Sequence, residues 1–87
     1  MDTKPMNNFS FEIVLADVAA VTEEMANRIF EAGGNDSTPM SSNGIVTIAF
    51  DREGDSWENA IRSALKTIHV AGYQAKTIQT PAEAFAQ

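Results

Sequence analysis

One dipeptide constrains this chain more than any other: Asn43-Gly44, set between STPMSS and IVTIAF. A two-residue type I′ hairpin turn needs positive φ at both central positions, and Asn-Gly supplies it. If this is the turn, the register follows: residue 42 pairs with 45, 41 with 46 and 40 with 47. Val46, Ile48 and Phe50 then share one face of the strand, and Ile45, Thr47 and Ala49 the other. The arm before the turn, DSTPMSS, is a weak strand. Pro39 cannot donate to a ladder, so the arm belongs at a sheet edge with the missing N–H toward solvent. Were that arm coil, the sheet would have three strands.

Around the hairpin, the hydrophobic period switches twice. FSFEIVLAD (9–17) alternates, with Phe9, Phe11, Ile13 and Leu15 on one side and Ser10, Glu12, Val14 and Ala16 on the other. That is a half-buried strand. Thr22 then caps a helix with Glu23 and Glu24 in its first turn, where the dipole favours acids. Met25, Ile29 and Ala32, flanked by Ala26 and Phe30, form its apolar stripe. Glu24 and Arg28 pair on its outer side, and Gly33-Gly34 ends it. The segment 55–72 is a second helix, with Asp55 as N-cap and Glu58 three residues on. Trp57, Ala60, Ile61, Ala64, Leu65, Ile68 and Ala71 form its buried stripe, Glu58, Arg62 and Lys66 the wet one, and Gly72 stops it. YQAKTIQT (73–80) is a last, half-polar strand.

The order is βαββαβ, the ferredoxin-like split βαβ of the α+β class. It implies a four-stranded antiparallel sheet with both helices on one face. The central strands are 9–17 and 45–51, the most apolar. Residues 1–8 read as a flexible leader, 9–80 as one domain and 81–87 as a tail.

Bulk properties remove several functions. A chain of 87 residues buries only about 60% of its unfolded surface, so it makes one small domain of modest stability. It has no cysteine, hence no disulfide, thiol nucleophile or thiolate metal site. Twelve acids against six bases give a net charge of −6, which repels nucleic-acid phosphates. The bases are also scattered, with no basic stripe. No apolar run approaches a membrane span and no signal-peptide pattern opens the chain, so a cytoplasmic location is expected.

Site chemistry is sparse. Asp51-x-Glu53-x-Asp55 has calcium-loop spacing for three acids, but Gly54 is fourth rather than sixth, and Arg62 stands where a bidentate Glu belongs. Strand end, turn at Gly54 and helix cap at Asp55 account for the stretch more simply. His69 has no second histidine or cysteine to complete a metal site. It has no sequence link to a serine and an orienting acid for a hydrolytic triad. There is no phosphate-binding glycine loop, and both helix N-termini carry their own acids. No catalytic residue, cofactor or metal is therefore expected. Trp57, on the apolar stripe, reads as a lid on the core before it reads as a partner anchor. Arg52 is expected to tie the sheet end to an acid such as Asp36.

The stretches EAGGNDSTP, NGIVTIAFDRE and SWENAIRSALKTIHVAG resemble a family of small, mostly uncharacterised bacterial domains. The matching positions are Asp36, Asp51, Arg52, Glu53, Ala60, Ala64 and Gly72, and the resemblance spans about residues 9–80. Some members carry a following helix-turn-helix segment, so the resemblance implies the sensing or association half of a transcription regulator or antitoxin-like protein. The present sequence includes no such segment, and DNA binding is not carried over. No catalytic residue comes with the resemblance.

The open sheet face is the surface of interest. Val14, Met40, Ile45, Thr47 and Ala49 are expected on it, beside Ala16, Ser10 and Glu12, an apolar area fit for association. The leading expectation is a non-enzymatic association domain that pairs with a second copy or another protein through this face. The alternative is a small-molecule-sensing regulatory domain. An enzyme built on the Asp51–Glu53 acids ranks third, and DNA binding last.

Overall fold

The structure, a computed structural model, describes residues 7–80. Residues 1–6 of the expected leader and the expected tail 81–87 lie outside the described residues. Six elements run in the order β1 (Asn7–Leu15), α1 (Glu23–Glu31), β2 (Ser37–Ser42), β3 (Ile45–Gly54), α2 (Trp57–Val70) and β4 (Ala75–Gln79). The strands form one antiparallel sheet in the order β2-β3-β1-β4, the ferredoxin-like α+β arrangement. β1 and β3 are central, as their apolar content predicts. Among the described residues no helix is long and apolar enough to cross a membrane.

Asn43 and Gly44 hold φ of 54° and 77°, the left-handed pair that a type I′ turn requires. The pairs Ser42↔Ile45, Ser41↔Val46 and Met40↔Thr47 follow as expected. In such a hairpin the closing pair is hydrogen-bonded and the pairs then alternate. Ser42, Met40 and Thr38 therefore bond across to β3, while Ser41, Pro39 and Ser37 turn their backbone groups outward. The Ser37 N–H already donates to the Gly34 carbonyl at 3.1 Å.

The core lies between sheet and helices. Phe11, Ile13 and Leu15 of β1 meet Val46, Ile48 and Phe50 of β3, and all are buried. Met25 and Ile29 of α1 and Ala60, Ala64 and Ile68 of α2 close over them, so both helices cover the same face. The alanines of α2 let its backbone approach the sheet closely. A Cβ at Gly54 would stand 3.3 Å from the Ala60 Cβ, and one at Gly34 only 2.6 Å from Ile29 Cγ2. Trp57 half-covers the core, its ring 4.8 Å from that of Phe9.

Four sequence expectations need correction. The first strand runs Asn7–Leu15 rather than 9–17, because Asp17 turns the chain at φ 63° while Asn7 and Asn8 pair with Gly54 and Glu53. By the same pairing β3 does not stop at 51. It continues through Asp51, Arg52 and Glu53 to Gly54, so Gly54 is a strand residue and not the turn. The cap of α2 is Ser56, whose Oγ accepts from the Asn59 N–H at 3.1 Å. Asp55 instead accepts from the Asn59 side-chain amide at 2.7 Å, and Glu58 pairs with Arg62. Phe30 is 63% exposed rather than part of the stripe. It sits one position past Ile29, about 100° further round α1, beyond reach of the sheet.

Candidate functional site

The pleat divides the Asp51-Arg52-Glu53 cluster. Side chains alternate along a strand, and Phe50 points to the core, so Arg52 follows it to the helix side. Asp51 and Glu53 point the other way, to the open face. The three charges are thus two different environments, not one site.

On the helix side Arg52 is only 9% exposed. Its guanidinium has five N–H donors, and every one is used. Nε and Nη2 grip the Asp36 carboxylate at 2.8 Å each. Nη2 also donates to the Gly33 carbonyl at 2.8 Å, and Nη1 to Ser63 Oγ and Thr67 Oγ1 at 3.3 and 3.2 Å. The guanidinium carbon also lies 4.9 Å from the Phe50 ring centre, a cation–π distance. One side chain thereby joins β3, the loop after α1 and, through Ser63 and Thr67, α2. The bidentate bond from Arg52 lowers the Asp36 pKa below the ordinary Asp value of 3.8; partial burial opposes this. Arg52 meets Asp36 as the sequence leads one to expect. Ser63, Thr67 and the Gly33 carbonyl were not foreseen. The available signal was Ser63 and Thr67, four residues apart on α2 and each one position before a stripe residue, Ala64 and Ile68.

The open face is built in rows by the register. Ser42 and Ile45 lie at the hairpin end. Next come Met40, Thr47, Val14 and Thr77 side by side. Thr38, Ala49, Glu12 and Gln79 form the following row. Asp51 beside Ser10, and Glu53 beside Asn8, complete the far end. Thus Val14, Met40, Ile45, Thr47 and Ala49 are brought onto one face, and Asp51 and Glu53 onto its far end. Arg52 is set apart from them on the helix side, and Asp36 reaches it from the border of the open face. Ile45 is 54% and Met40 41% exposed. The contribution of β4 (Thr77 and Gln79) was missed, since its bulge opposite Val14 and Leu15 hides the alternation.

Two shallow depressions mark this face. One of about 790 Å³ lies against Val14, Ile45, Thr47 and Lys76. The other, of about 550 Å³, is bordered by Ser10, Glu12, Thr38, Asp51 and Asp36. Ser10 Oγ donates to Asp51 at 3.3 Å. His69 is exposed on the last turn of α2. Among the described residues no three metal-ligating side chains come together.

Fold and face together define a small ferredoxin-like α+β domain with one sheet surface uncovered. Set against protein-family models, curated proteins and solved structures, the chain matches none of them.

Proposed function

We propose that this chain is a non-enzymatic association domain that docks a protein surface, a second copy or another chain, on its open sheet face. The observation that supports it is the uncovered apolar half of that face, with Ile45 and Met40 about half exposed beside Val14 and Thr47. Such continuous apolar exposure on a small domain marks a contact surface. The footprint is adequate. The strands hold nine, six, ten and five residues, and each residue covers about 16 Å² of sheet, so two such surfaces bury on the order of 1,000 Å². That is the lower bound of a specific interface, and it fits reversible association of a regulatory kind. The resemblance to domains that precede helix-turn-helix segments agrees with such a role.

The test is site-specific photocrosslinking in the cell of origin. A benzoylphenylalanine at Thr47 is expected to give a defined covalent adduct, whose mass tells a second copy from another protein. The same group at Asn27, on the outer side of α1, is expected to give none. Silence at Thr47, or equal adducts at both positions, refutes the reading. In the purified protein, Ile45→Glu is expected to abolish any self-association seen by light scattering.

A further inference from the structure

The charges of the described residues are sorted between the two sides of the sheet. Each arginine is already matched on the helix side: Arg28 with Glu24 at 2.8 Å, Arg62 with Glu58 at 2.6 Å, and Arg52 with Asp36. Lys66 is on α2 as well. The open face carries Glu12, Asp51 and Glu53, and none of the three has an ion pair among the described residues. Among the described residues the one base bordering this face is Lys76, at the opposite, hairpin end beside Val14 and Ile45, where Asp17 borders the same depression. The face is therefore graded along the strands: apolar at one end, with Lys76 and Asp17 at its border, and acidic at the other.

This gradient discriminates between occupants. In a two-fold dimer whose axis runs along the strands, acid lies on acid. With the axis across the strands and full overlap, three carboxylates of each copy meet one Lys76 and a set of apolar side chains. Charges desolvated without partners are strongly unfavourable. Sliding the copies until only the apolar ends overlap leaves about half the footprint, well below a specific interface. A second copy fits this face poorly. A surface that is apolar at one end and basic at the other fits it throughout, because complementary charge also speeds encounter and fixes orientation.

We infer that the occupant of the open face is a different protein presenting an amphipathic, lysine- or arginine-bearing segment, with its bases over Glu12, Asp51 and Glu53. This rests on the association reading above and names the partner's chemistry. The test uses short amphipathic model peptides, one of leucine and lysine and one of leucine and glutamate, with a lysine-only peptide beside them, titrated into the isotopically labelled chain. The leucine–lysine peptide is expected to shift the amides of Val14, Thr47, Ala49 and Asp51, and the other two to leave them in place. Glu12→Gln, Asp51→Asn and Glu53→Gln together, all at exposed or half-exposed positions, are expected to weaken binding about tenfold with an unchanged Tm, the effect of three exposed charge contacts combined. Shifts confined to the helix side, equal binding of the glutamate or lysine-only peptide, or indifference to the neutralised variant overturns the proposal. A self-adduct at Thr47 overturns it too, while leaving the face as a docking surface. No shift together with silence at Thr47 removes both.

Discussion

Replacing Arg52 by alanine tests the most buried polar arrangement of the fold. The substitution removes five donors and the stem that lies over Phe50. Breaking a buried ion pair from one side costs about 3–5 kcal/mol. The Asp36 side chain is 27% exposed against 11% for Arg52, so freed Asp36 regains some water and the lower figure applies. About 3 kcal/mol is expected, from a total of roughly 4–13 kcal/mol for a chain this long. In a domain of this size that lowers Tm by about 12–24 °C. The exposure difference makes a second, less obvious prediction. Asp36→Ala strands a charge that is more buried than the one removed, so it is expected to cost at least as much as Arg52→Ala. The double variant is then expected to lose about 2 kcal/mol less than the sum of the singles. Urea unfolding at neutral pH measures all three. A cost below about 1 kcal/mol for Arg52→Ala, or additivity within about 0.5 kcal/mol, would refute the clamp.

Other consequences are quickly checked. The lowered Asp36 pKa means that the native state holds its carboxylate against protons more strongly than the unfolded chain does. The resulting stability is complete above the ordinary carboxylate range near pH 4 and is lost as pH falls through the lower folded value. Acid titration followed by circular dichroism is expected to show this limb, and Asp36→Asn to flatten it. Gly34→Ala forces a Cβ to 2.6 Å from Ile29 Cγ2 and is expected to cost about 1–3 kcal/mol, read by the shift of the urea midpoint. Ser56→Ala removes the cap of α2 and is expected to cost about 1 kcal/mol. Asp55→Ala is expected to cost less in the same assay, and the reverse order would restore Asp55 as the cap.

Much of the fold was legible because its signals are local. Asn43-Gly44 set the hairpin register, and the two periods told strands from helices. Pro39 suits the weak arm DSTPMSS to an edge, but whether that arm is strand or coil was left open by its sequence. The misreadings come from non-local causes. β3 runs past Asp51 because Asn7 and Asn8, which look like leader, supply ladder partners. Asp55 and Ser56 are both good caps, and only the backbone at Ser56 decides between them. Phe30 looks like core until the short α1 is placed beside α2 and its far side is left bare. For the candidate site, alternation put Val14, Met40, Ile45, Thr47 and Ala49 on one face. The same alternation separates Asp51 and Glu53 from Arg52 in the structure, which a linear reading of three adjacent charges as one joint conceals.

The outward backbone of β2 bears on how large any assembly of this chain can grow. Open-ended stacking of sheets needs each molecule to offer two different free edges, so that one copy's β4 meets the next copy's β2 indefinitely. At β2 that edge is blunted: Pro39 has no N–H to give and the Ser37 N–H is spent on Gly34, which leaves Ser41 as the one outward N–H of the strand. Among the described residues β4 against β4 is the better-equipped pairing, and a like-to-like contact of that kind stops at two molecules. Filament growth by strand addition is thereby disfavoured in the backbone itself, so the broad face can stay apolar with less risk of fibres.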